Sequence, residues 1–126
     1  MREMFAGASR FNRDVFENVE AVMDMNAMFQ GAIDFNNDNN IRNWDVRAVS
    51  DMRSMFEGAS SFQGDLSNWQ TKNVERMQSM FRDARRFSSR LCWDRASLDE
   101  GDDEAEIFEG SNSSFLPYPD CSSPGT

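Results

Sequence analysis

The sequence predicts an α/β fold, a right-handed solenoid of four to five repeats of about 25 residues, each a short strand plus a short helix or 3-10 turn. Three observations carry that expectation. The pair Met-Phe recurs at Met4-Phe5, Met28-Phe29, Met55-Phe56 and Met80-Phe81, at spacings of 24, 27 and 25 residues. A second Phe stands six residues after each pair's Phe, at Phe11, Phe35, Phe62 and Phe87. Val-x-x-Met precedes the last three pairs, at Val22/Met25, Val49/Met52 and Val74/Met77, and Trp44 and Trp69 each lie five residues before the Val that follows them. One such unit cannot bury its own apolar face, so neighbouring units are expected to cover one another.

Within the unit, a small residue follows the first Phe by three places, at Ala8, Ala32, Ala59 and Ala84. Gly precedes it at Gly7, Gly31 and Gly58, and Asp83 takes that place in the fourth unit. Trp93 holds the Trp position of the last full unit, and Phe16 is the candidate for it in the first. The 3–4 residue spacing of Val22, Met25, Met28/Phe29 and Ala32 is helical. A short helix or 3-10 turn is therefore expected around Met-Phe-x-Gly-Ala, and a short strand around Asp65-Leu66-Ser67-Asn68-Trp69. The Val-x-x-Met segment is compatible with strand and with helix alike. The expected core is the recurring set Met28, Phe29, Phe35, Trp44, Val49, Met52, Met55, Phe56, Phe62, Trp69, Val74, Met77, Met80, Phe81 and Phe87. Two extra residues between Phe35 and Trp44, within Asn-Asn-Asp-Asn-Asn-Ile-Arg-Asn, read as a surface-loop insertion. A degraded fifth copy runs from Ile107 to Phe115. The expected organisation is a repeat region over 1–93, its first unit truncated, and an acidic degenerate repeat with a C-terminal cap or tail over 94–126.

Charge is unevenly spread. The chain has 22 acids against 13 bases, net −9, and residues 94–126 hold nine of the acids with a single base, Arg95. An acidic chain without a basic stripe argues against nucleic-acid binding, which needs phosphate neutralisation. There is no His, the commonest general base and metal ligand. No apolar run approaches the length that spans a bilayer, and Met1 to Asp14 carries no apolar signal-peptide core. There is no phosphate-cradling Gly-rich loop, serine elbow or metal cluster, so neither an enzyme nor a cofactor is expected.

Met55-Phe56-Glu57-Gly58-Ala59-Ser60-Ser61-Phe62-Gln63-Gly64-Asp65-Leu66-Ser67-Asn68-Trp69, followed by Val74-x-x-Met77-x-x-Met80-Phe81, resembles the BspA-like surface-protein repeat, with units of the form MFxxAxxFNxDISxWDVSNVxxM. The match is good over about residues 1–93 and poor over 94–115. The resemblance implies a leucine-rich-repeat-like solenoid, a cell-surface or secreted setting, and a role in contact or adhesion. It carries no catalytic residues. The first unit departs by lacking the Trp, Cys92-Trp93-Asp94 replaces polar-Trp-Asp, and the sequence opens inside a repeat, which reads as a fragment of a longer surface protein. In that setting Cys92 and Cys121, which allow just one intrachain pairing, are candidates for a disulfide pinning the tail across the last repeat. In a reducing compartment they would be two small buried residues.

Other signals have plainer readings. Asp34, Asn36, Asp38, Ile41 and Asp45 fall at calcium-loop positions, but Asn39 stands where the loop needs Gly and Asp45 where it needs a bidentate Glu. Asp14, Asp38 and Asp65 share one repeat position, with Asn12, Asn36 and Gln63 two residues earlier, and turn chemistry accounts for them better than a cation row. Asn112-Ser113-Ser114 is a glycosylation acceptor triplet, relevant only in a eukaryotic secretory route. The acidic run over 99–109 reads as a solvated face. Exposed, non-repeating positions are the candidates for partner contact: Arg42, Arg47, Arg53, Gln70, Lys72 and Arg76. The functional expectation is a non-enzymatic scaffold of a cell-surface or secreted protein contacting protein or glycan. The alternatives are a spacer within a longer surface protein and, less favoured, a calcium-binding repeat protein. No metal site, nucleic-acid partner or transmembrane segment is expected.

Overall fold

Apolar residues that recur in the sequence turn inward together. Residues 2–3, 6–7, 19–36, 41–99 and 101–116 are described by the structure, a computed structural model. Every recurring core residue named above is buried. The rings form rows. Phe29, Phe56, Phe81 and Phe108 lie in sequence with centroids 5.5, 5.6 and 5.5 Å apart and planes within 10°. Phe35, Phe62 and Phe87 form a second row at 5.9 and 5.6 Å. Trp44, Trp69 and Trp93 form a third at 6.5 and 6.2 Å. The two Phe rings within a unit also stack, Phe29 on Phe35 at 4.1 Å, Phe56 on Phe62 at 4.4 Å and Phe81 on Phe87 at 4.3 Å. Offset stacking of this kind adds to the gain from burying the rings.

The predicted α/β solenoid, with a strand and a helix or 3-10 turn in each unit, is not what the chain forms. Most of the described chain is turn and loop. It contains one sheet of two short parallel strands, β1 (Arg90–Leu91) and β2 (Ser114–Phe115), and between them one short helix, α1 (Glu104–Ile107). Beyond that sheet, among the described residues only the isolated parallel bridges Asp24 to Asp51 and Asp51 to Arg76 are strand-like. The strand expected over Asp65–Trp69 is absent: Ser67 and Asn68 form a turn, closed where Trp69 N donates to Leu66 O at 3.1 Å.

The backbone explains the failure of the helix. Ala27, Ser54 and Ser79 have φ of 56°, 57° and 58°, and four residues later Gly31, Gly58 and Asp83 have φ of 71°, 73° and 58°. Two left-handed residues four apart prevent consecutive i to i−4 bonds from accumulating, since a right-handed helix needs negative φ throughout. What remains is a string of single turns, such as Met28 N to Met25 O at 3.2 Å and Ala32 N to Phe29 O at 3.0 Å. The apolar spacing of 3–4 residues belongs to those turns.

The freed N–H groups are not wasted. Met25, Ala27, Phe29 and Gly31 donate to the carbonyls of Asp51, Arg53, Met55 and Glu57 at 2.7–2.9 Å. Met52, Ser54, Phe56 and Gly58 donate in turn to Arg76, Gln78, Met80 and Arg82, at 2.8–3.0 Å. Phe81 and Asp83 donate to Ile107 and Glu109, and Met77 N finds the Asp102 carboxylate at 2.5 Å. Buried backbone groups must be paired, and here each segment is paired by the next. The close approach at the glycines is direct: a Cβ on Gly58 would lie 3.6 Å from the backbone of Gly31.

At the C-terminal side, Asp103 caps α1 by accepting from Ala105 N at 2.9 Å, and the Glu104 carboxylate accepts from Phe115 N at 2.8 Å. Phe108 and Phe115 meet edge to face at 4.8 Å over the end of the Phe row. The Arg95 guanidinium lies 4.5 Å above the Phe115 ring centroid.

Candidate functional site

Two of the Asp-x-Arg triplets close on themselves through bidentate ion pairs. Asp45-Val46-Arg47 and Asp51-Met52-Arg53 each fold the Arg back on its own Asp. Arg47 reaches Asp45 through Nη2–Oδ2 at 2.7 Å and Nε–Oδ1 at 2.9 Å. Arg53 does the same to Asp51, at 2.7 and 3.1 Å. In both, the Arg backbone N–H also donates to Oδ1, at 3.1 and 3.0 Å, closing an Asx turn. The Arg47 side chain and backbone hydrogen bonds hold Asp45 down to a pKa of about 2. The same pair raises Arg47 above its ordinary value. Burial opposes the charge of Asp51, but hydrogen bonds from Arg53 and the charges of Arg53 and Arg76 outweigh it, so Asp51 titrates below the usual carboxylate range.

The Asp45–Arg47 pair forms one wall of a shallow depression of about 230 Å³, whose other lining residues are Trp44, Val46, Asn68 and Gln70. Trp44 and Val46 are buried; Arg47, Asn68 and Gln70 are exposed. Asn73 Nδ2 donates to the Arg47 carbonyl at 2.9 Å and ties this segment to the next. The depression offers a carboxylate, a guanidinium and two amides, with opposite charges already cancelled. Such a lining is suited to hydrogen bonding with polar, uncharged groups.

Of the six candidate contact residues, the structure brings Arg47 and Gln70 together at this depression. Arg53 and Arg76 meet elsewhere, both near Asp51, and Arg76 also pairs with Asp99 at 3.5 Å. Arg42 lies 3.7 Å from Asp65. Lys72 is exposed and has no ion pair among the described residues.

The remaining sequence candidates fall as follows. Asp34 is exposed, Ile41 is buried and Asp45 is engaged by Arg47, while Asp38 and Asn39 lie outside the described residues. Among the described residues no group of three or more His, Cys, Asp or Glu side chains could hold a metal ion. Asp65 accepts from Ser67 Oγ at 2.6 Å and Ser67 N at 3.0 Å; these bonds, with the charge of Arg42, lower its pKa. Asn36 Oδ1 accepts from Gln63 N at 2.8 Å; Asn12 and Asp14 lie outside the described residues. Cys92 is disulfide-bonded, and Cys121, the chain's other cysteine, lies outside the described residues.

The acidic run is largely exposed, and some of its carboxylates have partners. Asp99 pairs with Arg76, Glu109 lies 3.7 Å from Arg82, and Glu106 accepts from Gln78 at 3.0 Å. Two groups of residues escaped the sequence reading: Asn68 at the depression, hidden in an expected strand, and the arginines of the segment Arg82–Arg90. Four arginines in those nine residues were the available signal.

The family described as "Mycoplasma protein of unknown function, DUF285" matches residues 1–114. No curated protein matches the chain. No solved structure matches it either. No helix among the described residues is long and apolar enough to cross a membrane.

Proposed function

The chain belongs to the DUF285 family, and from that premise we propose that it is a non-enzymatic contact module of a cell-surface or secreted protein, engaging a protein or glycan through the depression at Arg47 and Gln70. The observation that carries this reading is the division of the molecule. The recurring aromatic and thioether side chains are consumed inside, and the depression presents hydrogen-bonding groups at the surface. The likeness of its units to the BspA-like surface repeat supports the setting. The disulfide at Cys92 supports it too, because such bonds persist in oxidising compartments.

The test is adhesion. Purified chain is applied to an array of neutral and charged glycans and to immobilised host-matrix proteins, beside the variants Arg47→Ala and Gln70→Ala. Binding that both variants weaken supports the reading. Binding unaffected by either moves the contact elsewhere, and no binding to any surface makes the chain a spacer.

A further inference from the structure

Residues 70–93 form a basic band in an acidic chain, with six bases (Lys72, Arg76, Arg82, Arg85, Arg86 and Arg90) and two acids. The acidic run that follows neutralises part of it. Arg76 faces Asp99 and Arg82 faces Glu109. The pairing stops there. Arg85, Arg86 and Arg90 are exposed and make no ion pair among the described residues.

Their surroundings explain why. Arg85 and Arg86 are the two central residues of the turn closed by Phe87 N donating to Ala84 O at 3.0 Å. On one side the equivalent turn carries Ser60-Ser61, and on the other side lie Ser111-Asn112-Ser113. The latter segment docks directly: Asn112 N reaches Phe87 O at 3.3 Å, and Ser113 Oγ donates to the same carbonyl at 2.9 Å. Arg90 pairs in register with Ser114 across the two strands. The segments packed beside Arg85, Arg86 and Arg90 thus carry hydroxyls and amides, with no carboxylate at the flanking turn positions. Guanidinium forks beside hydroxyl donors suit sulfate, phosphate and carboxylate oxygens.

We propose that Arg85, Arg86 and Arg90 form a binding surface for an acidic glycan, a polysaccharide carrying sulfate or carboxylate groups. This surface shares no residue with the Trp44 depression and does not depend on what that depression binds. A glycan fits better than a nucleic acid for two reasons. The half-buried Ser60 and Ser61 hydroxyls and the exposed Asn112 amide can hydrogen-bond sugar hydroxyls between the charged groups. Among the described residues no aromatic side chain is exposed beside the arginines for base stacking.

The experiment measures binding of the full chain to a heparin-derived sulfated oligosaccharide by calorimetry, at low and at high salt. Uncharged dextran and a DNA duplex of equal charge concentration serve as comparisons. The double variant Arg85→Ser/Arg86→Ser restores the residues of the preceding turn, Ser60-Ser61, and so leaves the packing intact. Expected are binding that weakens as salt rises and a loss of about tenfold or more in the double variant. Arginine-selective modification read by mass spectrometry gives a check on the unaltered chain, in which bound oligosaccharide should protect Arg85 and Arg86. The proposal is overturned if the sulfated oligosaccharide does not bind, if the double variant binds equally well, if Arg85 and Arg86 are modified at the same rate with and without it, or if dextran or the DNA duplex binds as tightly.

Discussion

The indole Nε1 of Trp69 donates to the backbone carbonyl of Ile41, 28 positions earlier, at 2.9 Å. Trp93 makes the same bond to Leu66, at 3.0 Å. Each indole therefore satisfies a buried acceptor in the preceding segment. Trp69→Phe keeps most of the ring but leaves the Ile41 carbonyl without that donor, and stability should fall by about 1–3 kcal/mol. Urea unfolding followed by circular dichroism measures it. An unchanged midpoint would mean that the bond contributes nothing.

The glycine row makes a graded expectation. Gly58 has φ +73° and room for a methyl group, so Gly58→Ala should cost only the left-handed strain, about 1–2 kcal/mol. Gly110 has φ +80°, and a Cβ there would collide with Asp83 Oδ1 and lie 3.1 Å from Asp83 N. Gly110→Ala should therefore be the more damaging of the two, and adding Asp83→Gly should recover part of the loss. Equal melting temperatures for the two single variants would contradict this.

Phe81 stacks on Phe56, Phe87 and Phe108 and is fully buried. Phe81→Ala should cost about 3–5 kcal/mol, since a cavity is left as well as a ring removed. Amide hydrogen exchange should show lost protection on both sides of the gap, at Phe56 and Phe108. Loss confined to one side would argue against coupling through the row.

Acid should destabilise the chain with a definite sign. Asp45 has its pKa lowered from 3.8 to about 2, and Asp51 and Asp65 are lowered as well. A carboxylate with a folded pKa below its unfolded one stabilises the fold above the unfolded value and loses that contribution as pH falls through the folded value. Stability should therefore decline between about pH 4 and pH 2, the interval spanned by the Asp45 shift. Asp51→Asn should shallow that decline. Denaturation midpoints that are flat over this interval would refute it.

Cys92 is bonded, and the sequence holds one other cysteine, Cys121. Non-reducing peptide mapping should find them joined in one chain. Reduction should then lower stability by about 3–4 kcal/mol, the amount expected for opening a loop of about 30 residues. A partner from another molecule, or two free thiols, would exclude the intrachain bond.

The interior was legible because burial leaves a period in the sequence. Met28, Phe56, Trp69 and their counterparts recur, and each one among the described residues is buried. The local backbone was not legible. Ala27, Ser54 and Ser79 adopt left-handed conformations that their side chains do not announce. Helical spacing over Val49, Met52, Phe56 and Ala59 thus arose from successive turns. The strand expected at Asp65 gave way because its carboxylate accepts from Ser67 N and bends the chain. Of the six residues expected to contact a partner, Arg47 and Gln70 line one depression, Arg53 is held by its sequence neighbour Asp51, and Arg42 and Arg76 pair with carboxylates whose proximity depends on segments distant in the sequence.

The three indoles make one more property measurable. Trp44, Trp69 and Trp93 sit face to face with centroids 6.5 and 6.2 Å apart and planes tilted by 9° and 11°. At such separations an absorbed photon does not stay on the chromophore that captured it. Excitation migrates along the file, and emission from the native chain should be split in its dichroism and dulled by its neighbours. The chain thus carries its own optical gauge of alignment, needing no attached dye: slippage of any one segment past the next would register as a change in the ultraviolet couplet.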